Sequence, residues 1–146
     1  MCRAHATVRG LIGELIGSDW AGSDVVLDLE AGLEVLSRST PRHVDAVLVV
    51  VEPYYRSLET GRRVYELAQE LEVPRVHAVA NKVRDERDGE AIREFCRNHD
   101  MQVLADIPFD DSLVDAERSG RPPIDYDPAS PAVAAIRRLG GSLIDG

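Results

Sequence analysis

The sequence predicts an open α/β fold, a parallel sheet covered by helices on both faces, as a single domain over residues 1–146. Three observations predict it. Four short runs rich in β-branched residues are near-continuously apolar, the mark of strands buried on both faces. Segments with helical apolar spacing lie between them, and no repeat or linker divides the chain.

Taken in order, residues 4–16 read as a helix and residues 24–29 (DVVLDL) as the first strand. Residues 46–51 (AVLVVV) form the second strand. A helix over residues 57–71 places Leu58, Val64, Leu67, Ala68 and Leu71 on one face, with Ser57 as its N-cap. Residues 75–80 (RVHAVA) form the third strand. The helix over residues 89–99 gathers Ile92, Phe95 and Cys96 behind Asp88 as cap, and residues 102–107 (QVLADI) form the fourth strand. A helix fits residues 111–118. Residues 120–129 (GRPPIDYDPA), with three prolines, make a surface loop, and the last helix covers residues 131–139 with Ser130 as cap and Pro131 at its first position.

With 146 residues, 44% of them apolar, the chain has enough material for a real core. The longest strictly apolar run is the six residues 46–51, far short of the roughly 20 that a membrane-spanning helix needs, so no membrane partner is expected. Two cysteines make no disulfide framework, which points to a reducing cytoplasm. A net charge of −9 repels a phosphate backbone, and nucleic acid is not expected as a partner. The basic residues are sixteen arginines and one lysine, Lys82, so any lysine-dependent motif must use that residue.

In open α/β sheets ligands sit outside the carboxyl ends of the strands, which selects the residues to read next. The first strand ends Asp28-Leu29-Glu30-Ala31-Gly32, an acidic residue leaving an apolar run with a glycine close behind. This has the form of a Walker B element: the Asp28 carboxylate can hold the Mg²⁺ shell of a nucleotide, and Gly32 lets backbone N–H approach a γ-phosphate. An Asp or Gly turn is also an ordinary way for such a strand to end. The third strand ends Ala80-Asn81-Lys82-Val83. Asn81 offers an amide donor and acceptor to a nucleobase edge, and the Lys82 stem can pack across a ring or its head reach a phosphate. GTPases place an aspartate after Asn-Lys-x, where this chain has Arg84, so guanine specificity has no support; a polar turn is the plainer alternative. The fourth strand ends Ile107-Pro108-Phe109-Asp110, where proline stops the ladder and fixes a loop on which Phe109 can flank a base. The second ends Val51-Glu52-Pro53 and leads to Ser57-Leu58-Glu59-Thr60, read as helix capping. A P-loop needs a glycine-rich turn ending in Lys and then Ser or Thr. Lys82 is preceded by no glycine loop and followed by Val83, so the chain as given has no P-loop.

In this order, DVVLDLEAG, VDAVLVVVEPYYRSLET, VHAVANKV and ADIPFDD resemble the distal part of the MinD/ParA group of deviant-Walker P-loop ATPases, which have a Rossmann-like P-loop NTPase fold. The stretch MCRAHATVR, followed by DLEAGLE, resembles more closely the CooC-like ATPases of carbon monoxide dehydrogenase maturation. The resemblance runs from Met1 to about Leu139. It implies that the P-loop strand and the helix after it are absent here and that the sheet is incomplete, since a βαβ unit takes about 30 residues or more. In that class the P-loop strand lies beside the Walker B strand. Without it, strands 24–29 and 46–51 either pair directly or leave a gap in the sheet.

The resemblance also implies roles. Asp28 corresponds to the Walker B carboxylate and Gly32 to the switch glycine, both catalytic; Asn81 and Lys82 correspond to the adenine site, and Pro108 with Asp110 to the loop bordering the base. Cys2 corresponds to the second cysteine of a Cys-x-Cys pair whose thiolates, one pair from each chain of a homodimer, hold one metal ion, nickel or zinc. The first cysteine would then precede Met1, which is expected to be an internal methionine of a longer protein. His5 lies three residues from Cys2 and can join it, although a lone histidine at a helix start is more often simply exposed; His43, His77 and His99 share no spacing, and Cys96 reads as core. The implied full-length activity couples MgATP binding and dimerisation to nickel insertion into carbon monoxide dehydrogenase or another metalloenzyme client. The chain alone is not expected to hydrolyse ATP. One rival is a non-catalytic interaction or dimerisation module on the same fold. The other is a receiver-like phosphoacceptor domain with Asp28 as acceptor and Lys82 assisting, which lacks an acidic pair on a preceding strand.

Overall fold

A computed structural model describes residues 24–29 and 44–144. The elements, in order, are β1 (Ala46–Val51), α1 (Tyr55–Glu70), β2 (Arg75–Val83), α2 (Glu86–Asn98), β3 (Val103–Pro108), α3 (Asp111–Arg118), α4 (Pro123–Tyr126) and α5 (Pro131–Ile144). The three strands form one parallel sheet in the order β1-β2-β3. β1 runs in even register with β2, from Ala46 opposite Arg75 to Val51 opposite Ala80.

The period-2 alternation of the strands decides which helix covers which face. Val49 and Val51 of β1 and Val76, Ala78 and Ala80 of β2 pack with Leu58, Tyr65 and Ala68 of α1 and Ile92 and Cys96 of α2. The other face of the sheet turns Val79 and Ile107 onto Ala132, Ala135 and Leu139 of α5. Helices therefore lie on both faces, as near-continuous apolar strands require. The expectation that Cys96 is core holds: it is buried, and burial pushes its thiol pKa up.

The helix ends obey local rules. In α1 the Glu72 N–H donates to the Gln69 carbonyl and the Val73 N–H to the Ala68 carbonyl; in α2, Asp100 and Met101 repeat this onto Arg97 and Cys96, and in α3, Gly120 and Arg121 repeat it onto Glu117 and Ala116. Each is a Schellman closure, with the residue past the cap at positive φ: Glu72 at 58°, Asp100 at 54° and Gly120 at 67°.

Several expectations from the sequence need correction. Residues 24–29 form no strand: they pair with no described strand and stand largely exposed, Val26 by 92%. The physical reason is that a strand exists only through a neighbour's hydrogen bonds, and β1 offers its bonds here only to β2. Of the two outcomes foreseen for these segments, direct pairing is absent among the described residues. β2 continues past Ala80 through Asn81 and Lys82 to Val83, and β3 includes Pro108, whose missing N–H costs nothing at a strand end. α1 begins at Tyr55, and its N-cap Tyr54 makes no side-chain bond, so Ser57 is not the cap. Pro53 sets this start. Its fixed φ closes a tight turn in which the Tyr54 N–H donates to the Glu52 carbonyl at 2.7 Å. α2 begins behind Asp85, which accepts from the Asp88 N–H at 3.0 Å, so Asp85 is the cap; the Asp88 carboxylate accepts from the Arg84 N–H at 3.1 Å, one residue before it. The proline loop over residues 120–129 holds the short helix α4. The cap and first position of α5 are as expected, with Ser130 accepting from the Val133 N–H at 3.2 Å; the helix runs on to Ile144. The helix expected over residues 4–16 lies outside the described residues.

Candidate functional site at the carboxyl ends of the strands

The parallel sheet brings the carboxyl ends of β1, β2 and β3 to one edge, where Glu52, Asn81, Lys82, Pro108 and Phe109 follow or close the strands. The β2–β3 ladder loses register here. Ala80 opposes Asp106 and Val83 opposes Pro108, so β2 carries one residue more than β3 over the same span. This is a bulge, and bulges re-aim side chains beside functional sites. Lys82 sits in it with φ at 56°. Glu72 and Asp100, the other two non-glycine residues at positive φ among those described, close helices, whereas Lys82 adopts the left-handed region at the end of a strand. Such a conformation costs a lysine free energy and persists only where its surroundings fix it.

The surroundings do fix it. The Lys82 Nζ lies 2.7 Å from Glu52 Oε1, joining the ends of β2 and β1. The Glu52 N–H donates to Ser57 Oγ at 3.0 Å and its carbonyl accepts from Tyr54, so the glutamate's backbone is tied on both sides. On the other flank the Phe109 N–H donates to the Val83 carbonyl at 2.9 Å, carrying the β3 exit loop against the bulge. The Arg84 guanidinium stacks 4.0 Å from the centre of the Phe109 ring, a cation–π contact between the two loops.

Asp110 lies in the loop after β3, where its carboxylate is engaged in capping. Its Oδ1 accepts from the Ser112 hydroxyl at 2.6 Å and the Ser112 N–H at 2.9 Å, and its Oδ2 accepts from the Ala132 N–H at 3.2 Å. The Ser112 hydroxyl foremost, with the two backbone donors, holds its carboxyl below the usual aspartate range against the opposing effect of burial. The carboxylate thus caps α3 and ties α5 to it.

The structure therefore gathers Asn81, Lys82, Pro108 and Asp110 along one edge, with Asp110 engaged in capping. Asp28 is exposed and has no hydrogen bond or ion pair with another described residue; Cys2, His5, Gly32 and His43 lie outside the described residues. No cluster of three metal-ligating side chains occurs among the described residues. Sequence reading missed Glu52 and the Arg84–Phe109 stack. The signal for Glu52 was a charged residue leaving an apolar strand just before proline, on the strand next to the lone lysine.

No family model matches the chain. An uncharacterised ATP-binding protein of Methanocaldococcus jannaschii is 34% identical over 123 residues, covering 84% of this chain and 47% of that protein. The carbon monoxide dehydrogenase accessory protein CooC of Rhodospirillum rubrum is 33% identical over 129 residues, covering 88% of this chain and 48% of CooC. The chain thus spans about half the length of these curated relatives. Among solved structures, the cell division ATPase MinD of Pyrococcus furiosus superimposes with a TM-score of 0.74 at 22% identity, covering 94% of this chain and 58% of MinD. MinD of Pyrococcus horikoshii, solved with Mg-ADP, gives the same TM-score and identity, covering 95% and 56%. These likenesses show the fold, and the sequence matches place it more closely. The chain belongs to the MinD/ParA-type superfamily and is CooC-like within it.

Proposed function

We propose that the chain is the distal part of a CooC/MinD-like ATPase whose full-length form couples MgATP binding and dimerisation to nickel insertion into carbon monoxide dehydrogenase or another metalloenzyme client. The observation that carries the reading is the Asn81–Lys82 bulge, with Lys82 at positive φ, set beside Pro108 and Phe109 at the carboxyl edge of the sheet. Its sequence setting supports the reading through similarity to CooC and to ATP-binding relatives.

In this reading Asn81 presents its amide to an adenine edge, Lys82 lines the same pocket, and Pro108 sets the loop bordering the base. Asp110 shapes that loop through its caps on α3 and α5. Asp28, exposed, would orient water around a bound Mg²⁺, and Gly32 would let the following backbone approach a γ-phosphate. Bound MgATP would supply the phosphoryl group and the metal charge. Cys2, on each of two chains, would hold nickel or zinc as cargo or bridge. Most of the phosphate binding and the stabilisation of transferring charge needs a glycine-rich loop that this sequence does not contain. The 146-residue chain is therefore expected to release no phosphate from MgATP above a protein-free control. Turnover by the chain that Asp28→Ala abolishes would overturn the assignment of phosphate chemistry to a separate loop.

A further inference from the structure

The bulge at Lys82 raises the question of what keeps a strained lysine in place. Helix closure accounts for Glu72 and Asp100. At Lys82 the visible restraints are the β3 exit loop, through the Phe109 N–H on the Val83 carbonyl, and the ion pair with Glu52. The second is unusual in its construction. Glu52 is not a long side chain swinging from a surface helix: its N–H is bonded to Ser57 Oγ and its carbonyl to the Tyr54 N–H, so its backbone has little freedom left. Its side chain is also the better shielded of the two, 29% exposed against 55% for Lys82. An anchored, half-buried carboxylate reaching an exposed amine on the neighbouring strand directs that amine.

We infer that Glu52 is a positioning residue: it draws Lys82 across the ends of β1 and β2, and by holding the bulge it sets the orientation in which Asn81 meets a ligand. This inference rests on the reading of Asn81 and Lys82 as base-site residues. Ser57 belongs to the same device, because it secures the backbone from which Glu52 reaches. The consequence is a division of labour along the edge. Glu52 and Ser57 touch no base themselves; they keep the neighbouring strand end ready for one, so that less ordering is left for the moment of binding.

The chain offers a clean probe, since Lys82 is its sole lysine and lysine-selective ¹⁵N or ¹³C labelling reports one side chain. The experiment records the Lys82 side-chain signal and the Asn81 side-chain amide signal in the unmodified chain, Glu52→Gln and Glu52→Asp, without ligand and during titration with adenosine monophosphate. Thermal melts of all three proteins confirm that they are folded. The expected result is that Glu52→Gln shifts both ligand-free signals and reduces the Asn81 response to the nucleotide at least threefold, while Glu52→Asp, which keeps the charge, restores part of it. The inference is overturned if Glu52→Gln leaves both ligand-free signals where they were, or if its Asn81 amide responds to the nucleotide as the unmodified chain does. A nucleotide that moves no signal in the unmodified chain sinks the base-site reading instead. In that event the ligand-free comparison decides the positioning role: shifted signals uphold it and unshifted ones remove it.

Discussion

At the scale of single residues, Asp110 shows how one carboxylate in the loop after β3 serves the fold. It takes three hydrogen bonds, two from Ser112 and one from Ala132, and so fastens the starts of α3 and α5 beside the β3 exit. Asp110→Ala leaves the Ala132 N–H and the first turn of α3 without their acceptor, and is expected to cost about 1–2 kcal/mol in a urea titration. The pH dependence follows from the direction of the shift. The folded-state pKa lies below that of an ordinary aspartate, so the stabilisation is complete above the unfolded value and is lost as pH falls through the folded one. The advantage of the unmodified chain over Asp110→Asn should therefore shrink as pH drops below about 4. A constant difference across that range would show that the carboxylate's charge is not what the caps use. Capping of this kind is written in the sequence only as an Asp two residues before a Ser, a pattern shared by many turns. The partner from α5 is 22 positions away and invisible until the chain folds.

At the scale of elements, the sequence located β1 to the residue, because an uninterrupted apolar run between Asp45 and Glu52 leaves no choice of limits. The other strands were found but misjudged at their ends. β2 carries a polar Asn-Lys pair inside its last turn of ladder, and a bulge accommodates there what alternation alone would exclude. Residues 24–29 have every local property of a strand and are none, since strand identity needs a partner that composition does not report. The packing of α1 on β1 depends on Gly61, where an added Cβ would overlap Val51 Cγ1. Two effects of Gly61→Ala oppose each other. Relief of glycine's flexibility favours the helix by about 1 kcal/mol, and overpacking against a fully buried valine costs about 1–3 kcal/mol. The neighbour is a β-branched strand residue with little room to yield, so overpacking wins and a net loss of up to about 2 kcal/mol is expected. Val51→Ala should cost less in the Gly61→Ala background than in the unmodified chain; equal costs would mean that the two residues do not meet.

At the scale of the whole molecule, both faces of β2 and β3 are covered, but β1 is not finished. Its outer edge has no partner among the described residues, and Val50 is 56% exposed. The other outer strand, β3, carries the marks of an edge: Asp106, paired with Arg93 at 2.7 Å, and a closing proline. β1 carries six apolar residues in a row and neither device. With Val25, Val26 and Leu29 exposed as well, apolar surface stays uncovered at the edge of β1 and along residues 24–29. Composition could not reveal this, because a buried strand and an unpaired one read alike. The class of the fold and the line of Asn81, Lys82 and Pro108 were legible because they depend on local pattern. The contacts of Glu52 and Asp110 were not, because they are made between elements.

If this chain is one part of a CooC/MinD-like ATPase, the native protein extends beyond it. Intact-mass measurement and N-terminal sequencing of the native protein from its source test this most directly. The expected result is a product heavier than the 16.1 kDa of this chain, with a glycine-rich loop ending in Lys and Thr and a further cysteine upstream of Met1. A native protein of 16.1 kDa that begins at Met1 would contradict it and leave the same fold serving as an interaction module.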